Sequence, residues 1–368
     1  MVRLLICAGG TGGGVYPAVA VLQALDLKEV DVLWVGSQDG MEAELVKRQN
    51  VPYTSIPSAG VHGVGLRSLP KNVVTIVKGY FAAQKILSNF KPDVLFFTGG
   101  YVAVPMAFAG RKYPTVLYVP DIEPGLALKT LSRFADQIAI TTSSTRQYFN
   151  NKNKLVETGY PTRKELLNWD KSQAKEKFNL SDDLPVLFVF GGSKGARSIN
   201  RAITANITSL LDISQIIHIT GKLDYAEVEA TRDPLPEALK NRYHLFAYLH
   251  EDMGAAMTAA DVVVSRAGAS TLGEFPLFGL PAILVPYPYA WRYQRINAEF
   301  LVQKDAAMMI KDEDLQIQLV PVLRDLFNSP NKLSAMRNHM RSLAHPEAAH
   351  QIAQLLHDLS TKGVSTSW

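Results

Sequence analysis

Two glycine-rich turns, each placed directly after a strand-like apolar run, constrain this 368-residue chain more than any other feature. The first is Gly9-Gly10-Thr11-Gly12-Gly13-Gly14 after Leu4-Leu5-Ile6-Cys7-Ala8. The second is Gly191-Gly192-Ser193-Lys194-Gly195-Ala196 after Val186-Leu187-Phe188-Val189-Phe190. A strand that ends in glycines and opens a helix leaves backbone N–H groups and the positive helix end converging on one point, which suits a phosphate. Two such turns, each opening its own α/β half, predict a cleft between two nucleotide-binding-type domains, with a phosphorylated ligand gripped there.

The apolar pattern supports two α/β halves. Strand-like runs at 4–8, 30–35, 94–97, 115–119, 137–141 and 155–157 alternate with helical patterns such as 18–25 and 41–48. The plan then restarts at 186–190, 215–220, 243–246, 262–265 and 282–285. Gly159-Tyr160-Pro161-Thr162 breaks both patterns and is the natural hinge, which predicts domains over 1–161 and 162–345. From Pro346 to Leu359 the sequence reads as an amphipathic helix, followed by a polar tail.

Composition narrows the function classes. A formal net charge of +4, without runs of Lys and Arg interleaved with aromatics, argues against nucleic acid as a partner. The lone Cys7 lies inside the first apolar run, has no internal disulfide partner and reads as a small core residue, which fits a reducing cytoplasm. The start Met1-Val2-Arg3-Leu4 leads straight into a strand, without the pattern of a secretory signal, and no apolar stretch has the length to span a bilayer.

Several constellations carry candidate chemistry. In the first turn, Val15 stands where a dinucleotide fingerprint needs its final Gly or Ala, so a nicotinamide dehydrogenase is disfavoured; five glycines in six residues still point to ligand contact. In the second, Ser193 can cap the helix or bind a phosphate oxygen, and no Walker string surrounds Lys194. The densest polar segment, Arg266-Ala267-Gly268-Ala269-Ser270-Thr271-Leu272-Gly273-Glu274, follows the strand at 262–265. Its small residues permit close approach by a ligand, and Glu274 can accept bonds from two vicinal hydroxyls; an N-cap with an acidic first turn is the alternative for Ser270 and Glu274. Asp312-Glu313-Asp314 spells a metal-diphosphate string but precedes a helix and reads as an acidic helix start, so no essential metal site or cofactor is expected. No Cys/His cluster or Gly-x-Ser-x-Gly elbow is present. Around Leu69 to Phe81, large apolar residues are punctuated by Lys71, Lys78 and Lys85. That pattern fits a helix lying on an anionic membrane, and equally a core-facing helix with a solvated basic face.

Together these strings resemble the MurG family of glycosyltransferases over nearly the whole chain. The resemblance is carried by Gly9-Gly10-Thr11-Gly12-Gly13, Gly99-Gly100-Tyr101-Val102, the second turn through Arg197, Asp252-Met253, the segment Ala260 to Ala269, Glu274, Gly279-Leu280-Pro281-Ala282, and Gln294 with Asn297-Ala298. It implies an α/β GT-B fold: two Rossmann-like doubly wound domains facing a cleft, with the last helix, within 346–368, crossing back to the first domain. It also implies transfer of N-acetylglucosamine from UDP-GlcNAc to the undecaprenyl-diphosphate-linked muramoyl-pentapeptide, the lipid I to lipid II step of peptidoglycan synthesis. The protein would then be cytoplasmic and peripheral on the inner face of the cell membrane. On the donor side the resemblance puts Arg163 and Ser193 near the diphosphate and Leu249 near the uracil. Ala269, Ser270, Thr271, Leu272, Gly273 and Glu274 run along the nucleotide with Glu274 on the ribose, Gln294 lies near the sugar, and Arg266 and Asn297 belong to the same set. Thr11, Gly12, Gly13, Gly14, Gly100, Tyr101 and Asp121 complete the substrate-binding residues.

Departures from the family fall on the acceptor side. Gly14 stands where the family carries His, Tyr118-Val119-Pro120-Asp121 where it carries His-Glu-Gln-Asn, and Leu128 in place of an Asn. An inverting transfer needs a base to take the proton from the attacking hydroxyl. With Gly14 in the imidazole position the candidates are Asp121, first, then Glu123 and His62. Two rival readings follow: a related transferase with another lipid or isoprenoid acceptor, and a nucleotide-sugar-binding protein impaired in catalysis.

Overall fold

A computed structural model describes residues 1–10, 12–38, 40, 42–60, 69–192, 195–289 and 293–364. The chain divides into two compact units, Met1–Arg163 with His345–Trp368, and Lys164–Ala344. Each is built on one parallel sheet, its successive strands joined by helical connections, of which only the one between the strands at 137–140 and 155–157 is made of short 3-10 turns.

In the first unit, β1 (Val2–Ala8), β2 (Val30–Ser37), β3 (Tyr53–Ile56), β4 (Val94–Gly99), β5 (Thr115–Val119), β6 (Gln137–Ile140) and β7 (Leu155–Glu157) lie in the order β3-β2-β1-β4-β5-β6-β7. Leu4 of β1 sits between Val32 of β2 and Val94 of β4. The central strands are buried on both faces, which is why they read as unbroken apolar runs. Leu5, Cys7, Leu95, Phe97, Leu117 and Val119 form the centre of one face's core. The last helix, Ala348–Val364, packs on the helix Gly12–Ala24 and on β4 and β5, so the chain's end belongs to this unit.

In the second unit, β8 (Val186–Phe190), β9 (Gln215–Ile219), β10 (Tyr243–Phe246), β11 (Val262–Ser265), β12 (Ala282–Leu284) and β13 (Ala307–Met309) are ordered β10-β9-β8-β11-β12-β13. Both sheets reverse direction of winding beside their first strand, between β1 and β4 and between β8 and β11. A ligand crevice opens at the carboxyl ends of strands at such a switch point.

Two strands escape the sequence pattern, β3 and β13. Both are short edge strands. Tyr-Thr-Ser-Ile and Ala-Met-Met offer neither alternation nor a β-branched run, and their pairing with a buried neighbour decides the conformation. The first helix starts inside the glycine run at Gly12 and not at Ala18, so the glycines form the helix's first turn. Among the described residues no helix is long and apolar enough to cross a membrane.

Candidate functional site

In the first unit the glycine turns after β1 and β4 meet at the switch point. Gly99 and Gly100 have φ of +116° and +86°, and a Cβ at Gly100 would collide with the Gly9 carbonyl, so only glycine allows this approach. Thr98 Oγ1 donates to the Gly14 carbonyl at 2.6 Å, tying the helix's first turn to the end of β4. Pro17 lies inside the helix Gly12–Ala24 and has no N–H, so the carbonyl of Gly13 lacks its i+4 donor.

A buried acid holds this turn from beneath. Glu42 is fully buried, and its carboxylate accepts from Gly10 N–H at 3.2 Å and from Ser37 N–H and Ser37 Oγ at 2.6 Å each. Side chains at Gly9, Gly36 or Gly40 would each press on it. Burial, with the Glu42 charge second, pushes the neighbouring Tyr53 phenol up to about 12. Sequence reasoning takes Glu42 as part of an ordinary helix; the available signal was an acid following two glycines, at 36 and 40, just past an apolar strand.

The departures from the family pattern are largely interior. Tyr118 is fully buried and its hydroxyl bonds Thr141 Oγ1 at 2.7 Å, with burial holding the phenol well above its ordinary pKa. Leu128 is buried in the first unit's core and would lie 3.6 Å from a Cβ on Gly99. Asp121, two residues past β5, is the first half-buried position after the buried run 115–120. Glu123 is only 4% exposed and pairs with Lys129 at 3.4 Å. Tyr101 is more than half exposed, and its ring would be met by a Cβ on Gly60. Arg163 lies with its guanidinium 4.3 Å over the ring of Tyr16, one turn past the glycines of the first helix. Thr11 and His62 lie outside the described residues.

In the second unit, the turn after β8 has Gly192 and Gly195 at φ of +91° and +78°. A Cβ on Gly195 would strike the Thr220 carbonyl at the end of β9. Behind it runs a buried polar chain. Asn200 Nδ2 donates to Thr220 O and to Asp224 Oδ2, both at 2.9 Å; Arg197 Nε donates to Asp224 Oδ1 at 3.0 Å; and His218 joins Asn200 Oδ1 at 3.0 Å to the Tyr243 hydroxyl at 2.8 Å. Ser193 itself lies outside the described residues.

After β11 the segment 266–274 turns back on the sheet. Ala269, Thr271, Leu272 and Glu274 are buried, as is Leu249 after β10, while a Cβ on Gly268 would meet open space. Thr271 Oγ1 donates to Gly268 O at 2.8 Å, which shapes the turn. Ser270 and Gly273 are its remaining backbone, joined by a Gly273 N–H to Ser270 O bond of 3.1 Å. Gln294 Oε1 accepts from Tyr287 N–H at 2.9 Å. Asn297, fully buried, donates to the Ala267 carbonyl at 3.2 Å, supporting the turn from the protein side. Arg266 also turns inward, bonding Val285 O, Ser198 Oγ and Asp312. The first acid of the 312–314 string is therefore engaged by a guanidinium. Among the described residues no cluster of three His, Cys, Asp or Glu side chains is placed to hold a metal ion.

In each unit a glycine turn lies at the switch point of the sheet. Comparison with known proteins is specific. The glycosyltransferase family 28 N-terminal domain matches residues 4–140 and the family's C-terminal domain residues 186–352. A relative from Roseiflexus sp. (strain RS-1), named UDP-N-acetylglucosamine--N-acetylmuramyl-(pentapeptide) pyrophosphoryl-undecaprenol N-acetylglucosamine transferase, is 39% identical, covering 97% of this chain and 95% of the relative. One of the same name from Desulforamulus reducens is 38% identical over 95% of this chain and 96% of its own. The crystal structure of Acinetobacter baumannii MurG superposes with a TM-score of 0.76 at 26% identity, covering 97% of this chain and all of the other. With both halves matched and the relatives spanned almost end to end, the chain belongs to glycosyltransferase family 28.

Proposed function

We propose that this protein transfers N-acetylglucosamine from UDP-GlcNAc to the undecaprenyl-diphosphate-linked muramoyl-pentapeptide with inversion at the anomeric carbon. The observation that carries this reading is the near end-to-end likeness to transferases of that name at 38–39% identity. The second unit takes the donor: Leu249 and the turn 269–274 line the nucleotide, Glu274 binds the ribose and Gln294 the sugar. Ser193 and the helix start behind Gly195 neutralise the leaving diphosphate, so donor binding needs no essential metal. The first unit's glycine turns and Tyr101 face the acceptor.

Asp121 serves as the base. It is half-buried just past the carboxyl end of β5, whereas Glu123 is only 4% exposed. Asp121→Asn is expected to lower kcat by about a hundredfold or more, in the range of general-base loss. Glu123→Gln changes it far less; equal activity of Asp121→Asn and wild type would remove the assignment. The reaction itself is tested by incubating the protein with UDP-GlcNAc and a panel of lipid-diphosphate acceptors and reading products by mass. Transfer to the muramoyl-pentapeptide lipid supports the reading, and transfer only to a different lipid supports the alternative acceptor. Donor binding without transfer leaves a nucleotide-sugar-binding protein.

The acceptor's lipid places the protein on the inner face of the cytoplasmic membrane, and helix Leu69–Phe90 offers the surface. Val73, Val74, Val77 and Phe81 are about half exposed or more and share one stripe at helical spacing. Exposed Lys71, Lys78 and Lys85 run along its edge, seven residues apart. An apolar stripe bordered by cations suits an anionic lipid surface. Val77→Ser with Phe81→Ser is expected to weaken sedimentation with phosphatidylglycerol vesicles by at least about tenfold, given the apolar area withdrawn. Wild-type protein that stays in the supernatant would rule this surface out.

A further inference from the structure

We propose that Arg266 is a positioning residue of the donor half, acting through Asp312 to lock the carboxyl ends of β11, β12 and β13 to the helix that follows β8, and does not itself grip the donor. This rests on the reading of the second unit as the nucleotide-binding half. Strands β8, β11, β12 and β13 are neighbours in the sheet, and a ligand at the switch point lies against their carboxyl ends. Arg266 follows β11 immediately. One terminal nitrogen of its guanidinium donates to the Val285 carbonyl, just past β12, at 3.0 Å, and also to Asp312 Oδ1, three residues past β13. The other donates to Ser198 Oγ at 2.7 Å, on the helix Arg197–Ala205 that the glycine turn after β8 opens. Ser198 Oγ in turn donates to Asp312 Oδ1 at 2.7 Å, closing a ring of three side chains.

The side chain is committed inward. Arg266 is 9% exposed and Asp312 21%. The guanidinium carbon stands 5.2 Å from the Tyr287 ring centroid, and the Tyr287 N–H is the group that Gln294 Oε1 accepts from. A single planar fork thus sets the phosphate helix through Ser198, the end of β12 through Val285, and Gln294 through Tyr287. A lysine at 266 has one nitrogen on a flexible stem and cannot satisfy three acceptors in fixed directions. The same geometry gives the 312–314 acidic string its part: Asp312 is the anchor that orients the fork.

The test uses the full chain and UDP itself as probe. Asp312→Asn and Arg266→Lys are each expected to weaken UDP binding by calorimetry, and to raise the KM for UDP-GlcNAc, by about tenfold. The KM for the lipid acceptor should remain within twofold. The double variant should bind no worse than the weaker single, because the two residues act as one unit. A purely structural role would lower kcat with the fraction folded and leave the donor KM unchanged, so that pattern overturns the proposal. If Arg266 gripped the donor directly, Arg266→Lys would weaken UDP while Asp312→Asn bound it normally, which also overturns it. Wild-type protein that fails to bind UDP would instead overturn the donor-site reading, and that failure is visible before any variant is made.

Discussion

Glu42→Ala is expected to destabilise the first unit by roughly 1–3 kcal/mol, the cost of taking a buried carboxylate away from part-buried donors. It should also reduce transfer activity at least tenfold. Three donors from two segments converge on this carboxylate: the Gly10 and Ser37 N–H groups and the Ser37 hydroxyl. Removing it strips the acceptor from three part-buried donors; Ser37 is half-buried and Gly10 exposed, so water takes up part of the loss. The activity loss follows from geometry. Gly10 belongs to the turn against which Gly100 packs, so a displaced Gly10 moves both turns of the switch point. Glu42→Gln should fall between, because it keeps one oxygen for Ser37 but turns an NH2 toward a donor. Glu44→Ala, on the exposed face of the same short helix, should leave both quantities near wild type. Denaturant unfolding followed by circular dichroism measures the first effect, and an unchanged midpoint in Glu42→Ala would refute it.

How far the sequence reveals this depends on the range of the interaction. The central strands are legible because a strand covered on both faces must be apolar throughout, as in Leu4 to Ala8 or Val186 to Phe190. Glycine turns after them are legible for the same local reason, a strand-to-helix connection with no side chains. The edge strands β3 and β13 are not, since their conformation is imposed by one buried neighbour each. Nor are the roles of Glu42 and Arg266. Both are polar residues whose meaning lies in partners from elements distant in sequence: Glu42 with Gly10, and Arg266 with Ser198 and Asp312. Arg266 sits in a polar, glycine-flanked segment that invites a ligand-contact reading, and only its direction in the fold distinguishes a support from a contact. The departures at Tyr118 and Leu128 follow the same logic, because sequence counts them as lost polar groups and the fold places them in the interior.

The two glycine turns are supported by opposite chemistry. Beneath the first lies a carboxylate collecting N–H and O–H donors. Behind the second lies a chain of neutral groups, Tyr243, His218 and Asn200, that ends on Asp224 and Arg197. Asn200 spends both amide hydrogens on Thr220 O and Asp224, so its oxygen must face a donor, and His218 Nε2 carries the proton. Nδ1 is then left to accept from the Tyr243 hydroxyl. A neutral imidazole satisfies every partner, whereas an imidazolium would present a second N–H to that hydroxyl and place a charge in a dry core.

Acid should therefore weaken the second unit through His218. Burial lowers its pKa from 6.5 to about 3 in the folded protein. Above pH 6.5 neither state is protonated and the full stability is present. As pH falls below 6.5 the unfolded chain takes up a proton that the folded chain refuses, and stability drops by about 1.4 kcal/mol per pH unit until the folded value near 3 is reached. At pH 4.5 that amounts to about 2.7 kcal/mol from this one side chain. His244, whose pKa is also lowered by burial and then by Arg232, adds in the same direction. His218→Gln removes the titrating group while retaining an amide for the chain, so it should be less stable at pH 7 yet lose less on acidification. The measurement is urea unfolding at pH 7, 6, 5 and 4.5 for both proteins, with the difference in slope isolating His218 from the carboxylates that titrate in each. Parallel slopes would mean that the imidazole is charged in the folded state, and the neutral chain behind the second turn would have to be abandoned.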